Sequence, residues 1–157
     1  MSQTNNSGHP KGLYVLFATE MWERFNYYGM RAILIYFMTD ALLFSKPFAS
    51  QLYGGYTSLV FLTPLIGGFI ADRYWGNRNS IIVGGLIMAL AELILFFCSS
   101  MYKSSPEISG ILFYVGLGAM IVGNGFFKPN ISSMVGQLYA PGDKRTDAAY
   151  TIFYMGI

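Results

Sequence analysis

The sequence predicts an all-α membrane protein, with four complete transmembrane helices followed by the start of a fifth. Composition is the first reason, since 54% of the residues are apolar and only 11% are charged, against about 25% in an average soluble domain. The second reason is that residues 49–71 contain no Asp, Glu, Lys, Arg or His, and residues 79–102 contain only Glu92. Each run exceeds the about 20 residues with which a helix crosses a bilayer.

The first expected helix is mostly apolar but carries the charged stretch EMWERFNYYGMR, residues 20–31. The fourth is one long helix, bent at Pro129 because proline removes a helical hydrogen bond. The fifth is only begun, so we expect the N-terminal piece of a larger membrane protein, inactive on its own. Residues 12–157 would form a partial N-terminal bundle whose helices are residues 12–38, 49–71, 79–102, 108–139 and 147–157.

Residues 1–11 form a polar tail that lacks the features of a cleaved signal peptide. The connections on the side of this tail carry more basic residues than those on the other side, which have Lys46 and Lys103. The positive-inside rule therefore predicts a cytoplasmic N-terminus, in a multi-pass protein of the cell (inner) membrane. Because the basic residues belong to topology and to the membrane interior, the small net charge of +2 indicates no nucleic-acid partner.

Several charged residues fall inside the expected helices, where each would cost about 2.5–3.5 kcal/mol if it faced lipid at mid-helix. On the first helix the polar positions step by three or four, so they share one face. These residues are Glu20, Glu23, Arg24, Tyr27, Tyr28 and Arg31. The face must point at protein or water. A polar cavity with titratable walls inside a membrane is typical of transport.

Lys128 on the fourth helix lies at nearly the depth of Glu20 and Glu23, given a rise of about 1.5 Å per residue. An interhelical pair between a glutamate and Lys128 is therefore possible, and it would neutralise both charges. The alternative is an ion-pair network that only fixes helix packing. Glu92 stands alone on the third helix, and structural and functional interpretations are equally open, so we leave it out of the site.

The remaining motifs predict packing. GNGFFK, residues 123–128, has glycine spacing like a phosphate loop, but no strand precedes it. Small residues four apart allow close helix approach; the pairs are Gly54 with Ser58, Gly85 with Ala89 and Ala119 with Gly123. Cys98 is expected to be a small packing residue. The sequence offers no His or Cys cluster for a metal and no Ser, His and Asp set, so neither a cofactor nor an enzyme is expected.

Four segments together resemble the proton-dependent oligopeptide transporter family of the major facilitator superfamily. EMWERFNYYGMR resembles the family's first-helix signature, and GGFIADRYWGNR resembles the loop between helices two and three of major facilitators. GNGFFKPNISSMVG is similar to the family's lysine-bearing fourth helix. FYMGI, residues 153–157, resembles the start of its fifth-helix signature.

The resemblance implies a carrier of two six-helix halves that takes up di- and tripeptides with protons by alternating access. Arg24, Arg31 and Lys128 would face the peptide carboxylate or gate partners. Tyr27 and Tyr28 would line the pocket. Glu20 and Glu23, with Lys128, would take part in proton coupling. A proton gradient is the implied driving force, and the lipid bilayer and a C-terminal half are the implied partners.

Two positions depart from the family pattern. Phe61 aligns with a tyrosine of many bacterial members, and Gly54 aligns with a histidine of animal members, so proton transfer here would depend on carboxylates. Two alternatives stay open at this point. The same fold could carry another anionic or zwitterionic solute such as nitrate, or the protein could be a membrane scaffold that does not transport.

Overall fold

The computed structural model describes residues 8–157, and this range contains α-helices but no β-strand. Residues 1–7 of the expected tail lie outside the described residues, and Lys11 is already the first residue of a helix. The helices are α1 (Lys11–Tyr36), α2 (Lys46–Ile70), α3 (Gly76–Met101), α4 (Pro106–Gln137) and α5 (Arg145–Tyr154).

The helices begin one to three residues earlier than the uncharged runs suggest. α2 begins at Lys46 with Pro47 in its first turn, and α4 begins at Pro106. Proline suits the first turn because its missing N–H has no partner there in any case. The charge pattern thus located the apolar part of each helix, while the first turn includes flanking polar and proline residues.

Two π-helical turns extend the regular helices. Phe37–Ala41 continues α1, and Ala71–Trp75 joins α2 to α3. The second turn is followed by Gly76, whose φ of 74° lies in a region that residues with a Cβ rarely adopt. A glycine is therefore suited to the point where α3 begins.

Two stretches of the chain are long and apolar enough to cross a membrane. Lys46–Met101 comprises α2, the π-helical turn and α3, and Pro106–Gln137 is α4. α1 has 26 residues, a length of about 39 Å at 1.5 Å per residue, and is therefore long enough. Its composition is not apolar enough, because α1 carries the charged face predicted from the sequence.

α4 is the central helix of the described bundle, and it packs most extensively against α3 and α2. Glycines allow these contacts. A Cβ added at Gly67 of α2 would lie 2.0 Å from the Gly125 carbonyl oxygen, and one added at Gly84 of α3 would lie 2.7 Å from the Gly123 oxygen. Such distances are far below van der Waals contact, so only glycine fits at either place.

The prediction of close-packed small residues was correct for Gly123 but wrong for Gly54 and Gly85. A Cβ at either of those two positions meets no atom within 4 Å. Gly84, one residue before the predicted position, is the glycine of α3 that touches α4. Neighbouring helix positions differ by about 100° in direction, so a one-residue error turns the contact away from the partner.

Pro129 lies inside α4, which continues without a break through Gln137. Proline has no N–H to donate to the carbonyl oxygen four residues earlier, which is that of Gly125. This oxygen is the one closest to Gly67 of α2. The predicted effect of Pro129 on the α4 backbone therefore coincides with the tightest helix contact of the bundle.

The connection between α4 and α5 is tied to the start of the chain. Arg145 forms an ion pair with Asp143 at 2.7 Å and donates a hydrogen bond to the Gly8 carbonyl oxygen. His9 Nδ1 lies 2.8 Å from the Tyr139 hydroxyl. The hydrogen bonds from Arg145 lower the pKa of Asp143 from 3.8 to about 2. The contribution of this ion pair to stability is therefore complete above about pH 4 and is lost as the pH falls through about 2.

We expect Gly67→Ala to destabilise the full-length protein by about 1–3 kcal/mol or more, because the added methyl group meets a backbone oxygen that cannot move unless the helices separate. Gly85→Ala is the matched control. It adds the same methyl group where nothing lies within 4 Å, and it should be neutral or stabilising by up to about 1 kcal/mol through helix propensity. Thermal unfolding of the two variants in detergent measures this difference. Equal melting temperatures would contradict the close contact.

Candidate functional site

A buried ion triad lies in the middle of α1. Arg24 Nε donates to Glu20 Oε1 at 2.9 Å, and Arg24 Nη2 pairs with Glu23 Oε2 at 2.5 Å. All three side chains are buried, with Arg24 only 5% exposed. Glu20 lies one helical turn before Arg24, which is the spacing at which two helix side chains meet. The carboxylates thus neutralise Arg24, which could not otherwise be buried in an apolar bundle.

Asn124 of α4 joins this triad. Its Nδ2 donates to Glu23 Oε1 at 2.8 Å, and its side chain is buried. The sequence analysis treated Asn124 only as part of a glycine motif and missed it as a site residue. A signal was available, because an amide in the middle of an apolar transmembrane helix is itself a functional candidate.

Arg31 lies farther along α1 and is held by aromatic residues. Its Nε donates to the Tyr53 hydroxyl of α2 at 2.8 Å. Its guanidinium carbon lies 5.4 Å from the centroid of the Tyr27 ring and 5.5 Å from that of Tyr53. Arg24 also lies 5.4 Å from the Tyr27 ring, so this buried tyrosine separates the two arginines. Tyr53 is a second contact that the sequence did not reveal.

Lys128 of α4 does not pair with a glutamate, so the predicted interhelical ion pair is absent from the part of the chain that the structure describes. Its Nζ lies 4.8 Å above the ring of Phe61 in α2. A cation over a ring gains about 0.5–2 kcal/mol, much less than a charge needs for full burial. Both α1 carboxylates pair with Arg24 instead.

Tyr28 lies apart from the buried triad. It is 52% exposed, whereas Tyr27 is 3% exposed. The two rings meet edge to face, with centroids 5.5 Å apart. Adjacent helix positions point about 100° apart, so one polar face cannot bury both side chains equally. The structure therefore brings together five of the six polar residues of α1 and leaves Tyr28 at the edge.

Glu92 is not alone, because Asn26 of α1 donates to its Oε1 at 3.0 Å. These two residues line a groove of about 370 Å³ between α1, α3 and α4, whose other walls are mostly apolar. The groove does not contain the ion triad. This second polar contact therefore connects α1 to α3, in the same way that Asn124 connects α1 to α4.

The site contains more positive than negative charge. Arg24, Arg31 and Lys128 provide three cations, against two carboxylates from Glu20 and Glu23. Of these three cations, only Arg24 is paired with a carboxylate within residues 8–157. Over the same range, the buried polar atoms without a hydrogen-bond partner include Glu20 Oε2, the Tyr27 hydroxyl and Asn124 Oδ1. Such a site can attract an anionic group and can offer it hydrogen bonds.

Within residues 8–157, no three His, Cys, Asp or Glu side chains form a group that could hold a metal ion. Cys98 is buried and its thiol donates to the Ser109 carbonyl oxygen of α4, at 3.2 Å. Ser109 Oγ donates in return to the Cys98 carbonyl oxygen. This cysteine thus occupies a packing contact between α3 and α4.

Comparison with known proteins decides the family. The model of the POT family matches residues 78–157, which is half of the chain. This chain belongs to the POT family. The predicted resemblance and the all-α membrane fold are therefore confirmed. POT proteins are transporters and not enzymes, and membership of this family indicates a multi-pass membrane protein.

Relatives match almost the whole of the POT chain. It is 43% identical over 155 residues to the uncharacterized transporter YclF of Bacillus subtilis (strain 168). It is 41% identical over 157 residues to a di-/tripeptide transporter of Lactococcus lactis subsp. lactis (strain IL1403). Each match covers 96% of this chain and 30% of the relative. The chain thus spans about a third of the length of these relatives.

Solved structures agree with the fold of this POT chain. A crystal structure of a mutant of the peptide transporter POT in complex with alafosfalin has a TM-score of 0.86 and 40% identity. It covers 99% of this chain, which corresponds to 31% of that structure. A POT family transporter in complex with 5-aminolevulinic acid has a TM-score of 0.84 and 37% identity, with the same shares covered.

Proposed function

We propose that the full-length protein is a proton-coupled symporter of di- and tripeptides that works by alternating access. In this proposal the present chain contributes cationic and proton-coupling residues to the substrate site. A proton gradient across the cell membrane drives uptake, no cofactor takes part, and the N-terminus is cytoplasmic. The remaining part of the protein supplies the second half of the cavity.

The observation that carries the proposal is the unequal pairing of the three cations. Arg24 is neutralised by its two carboxylates, whereas Arg31 and Lys128 contact the aromatic residues Tyr53 and Phe61. Cation–π contacts are weak enough to be replaced by a carboxylate, which forms stronger charge-assisted hydrogen bonds. We assign Arg31 and Lys128 to the peptide carboxylate, and Tyr27 and Tyr28 to the wall of the pocket.

Arg24 has a different role in this proposal. It pairs with both Glu20 and Glu23, and it contacts the ring of Tyr27, which is assigned to the wall of the pocket. A proton that binds to either glutamate would weaken the triad and free part of the positive charge of Arg24 for the peptide. Proton uptake and peptide binding would then favour each other, which is the coupling that a symporter needs. Lys128 acts electrostatically on both glutamates and would take part in the coupling.

Two kinds of evidence favour peptides over other solutes as the substrate. A zwitterionic peptide needs cations for its carboxylate, and a low-dielectric cavity strengthens that attraction. Relatives at 41% identity are named di-/tripeptide transporters, and POT structures hold alafosfalin or a thioalcohol-conjugated peptide. Nitrate, the alternative solute, is an anion without an amino group and would use only the cations of this site.

The test is uptake of a labelled dipeptide into proteoliposomes that contain the full-length protein, with and without an inward proton gradient. We expect saturable accumulation that requires the gradient, and competition by unlabelled dipeptide but not by equimolar nitrate. Gradient-dependent nitrate uptake without dipeptide uptake would support the alternative solute. Absence of any transport by correctly inserted protein would support the scaffold.

We expect Arg31→Ala to raise the KM for dipeptide by about tenfold to a hundredfold, which is the loss of a charge-assisted hydrogen bond of about 1.5–3 kcal/mol. Lys103→Ala is the control, because it removes a cation from the exposed connection between α3 and α4. A dipeptide amide, which lacks the carboxylate, should compete equally against both variants and the unmodified protein. An unchanged KM for dipeptide in Arg31→Ala would contradict this role.

Glu23→Gln should abolish the dependence of dipeptide accumulation on an inward proton gradient. Glutamine keeps the size of the side chain and, like a protonated carboxyl group, has one acceptor oxygen and a donor, but it cannot bind a proton in the physiological range. Counterflow exchange of peptide should continue, because exchange requires only binding and reorientation. Both activities are measured in the same proteoliposomes. Accumulation at the unmodified level would show that the coupling acid lies elsewhere.

A further inference from the structure

Asn124 stands between two glycines that lock the α4 backbone against two different helices. A Cβ at Gly123 would lie 2.9 Å from the Gly84 carbonyl oxygen of α3, and one at Gly125 would lie 2.8 Å from Thr63 Cβ of α2. α4 is therefore held on both sides at this point. Within the sequence GNG, Asn124 is the one residue with a side chain, and this side chain reaches α1.

The hydrogen bond from Asn124 Nδ2 to Glu23 Oε1 is the one side-chain hydrogen bond that joins α1 to α4 within residues 8–157. Both side chains are buried. An amide N–H can only donate, so this bond requires an acceptor oxygen and fits the deprotonated carboxylate. Asn124 Oδ1, on the same amide, has no partner in the described part of the chain.

We propose that Asn124 is a positioning residue for Glu23, and that its amide sets the pH at which this carboxyl group takes up a proton. The inference rests on the proposed function and adds a residue to it. In the deprotonated state the amide nitrogen donates to Glu23. Once a proton binds, the carboxyl group becomes a donor, and rotation of the amide presents Oδ1 as the acceptor. Asn124 Oδ1, which has no partner within residues 8–157 while Glu23 is deprotonated, thus accepts a hydrogen bond when Glu23 is protonated.

Other charged groups also act on Glu23. Arg24 and Glu20 lie on its own helix, and Lys128 approaches from α4. Tyr56 of α2 lies within the electrostatic influence of Glu23 and of Glu92 on α3. Substitution of Asn124 leaves all of these groups in place. A change in the proton affinity of Glu23 in an Asn124 variant therefore reports on the amide itself.

The first test is Asn124→Leu in the full-length protein, which removes the donor and keeps a similar volume. The midpoint of the pH dependence of gradient-driven dipeptide accumulation should shift upward by about one to two pH units, since a hydrogen bond to a charged group contributes about that much. An unchanged midpoint would overturn the proposal.

Asn130→Leu is the matched control. Asn130 is also a buried asparagine of α4, but its Nδ2 donates to the Phe126 carbonyl oxygen of the same helix, at 2.6 Å. Its loss can reduce the amount of folded protein but should not move the pH midpoint. An equal shift in Asn130→Leu and Asn124→Leu would show a general effect of α4 packing, and would overturn the specific role of Asn124.

Asn124→Asp provides a second variant if Asn124→Leu does not fold. It has the same shape but replaces the donor by an acceptor, so the two carboxyl groups can meet only when they share a proton. The midpoint should shift upward at least as far as in Asn124→Leu. A midpoint equal to that of the unmodified protein would overturn the proposal, because shape alone would then explain the position of Asn124.

Infrared difference spectroscopy of the purified protein separates this inference from the proposed function. The C=O band of the protonated Glu23 carboxyl group, identified by its loss in Glu23→Gln, should titrate at higher pH in Asn124→Leu. This measurement needs no transport. A shifted band in a protein that does not accumulate dipeptide would support the role of Asn124 and contradict the symporter. An unshifted band in a protein that does accumulate dipeptide would do the reverse.

Discussion

The burial of Arg24 is the constraint on which the rest of the structure depends. A guanidinium group cannot be left unpaired in an apolar helix bundle, and α1 itself provides the carboxylates that pair with it, at positions 20 and 23. The triad then carries one negative charge in excess. Further cations nearby, Arg31 and Lys128, make the whole site positive. The orientation of α1 follows, because this face must turn towards α2 and α4 and away from lipid.

α4 can place the Asn124 amide against α1 only because α4 itself packs so closely against α2 and α3. Glycine to glycine contacts bring the backbones together at Gly67 with Gly125 and at Gly84 with Gly123. Within a membrane such contacts replace the hydrophobic effect, which does not act between helices already surrounded by lipid. The same short stretch of α4 therefore provides packing on two sides and the Asn124 amide on a third.

Aromatic residues in place of acids distinguish this site from a network that only fixes packing. A structural network would pair every buried cation with a carboxylate, as happens for Arg24. Arg31 and Lys128 instead contact Tyr53 and Phe61 of α2. Rings shield a charge from lipid without neutralising it. The positive charge of Arg31 and Lys128 is thus not neutralised by a carboxylate of residues 8–157, and this supports the proposed transport over a scaffold.

Much of the fold and part of the site could be predicted from the sequence alone. The periods of charge and hydropathy depend only on the chain and on helix geometry, so the number of helices, the polar face of α1 and the central place of Arg24 followed directly. The family signatures added the class of protein. Lys128 was also assigned to the site because a cation in an apolar helix must have a polar environment.

The partners of those residues were decided by tertiary structure. Whether a glutamate meets Lys128, which glycine of α3 touches α4, and whether Asn124 faces α1 all depend on the rotation of one helix about its axis relative to another. One residue of rotation is about 100°, and a periodic apolar sequence does not determine it that finely. Gly84 rather than Gly85, and Phe61 rather than Glu23 as the neighbour of Lys128, are consequences of that rotation. The sequence therefore determined which polar groups had to be buried, and the packing of α1, α2 and α4 decided which partner each group contacts.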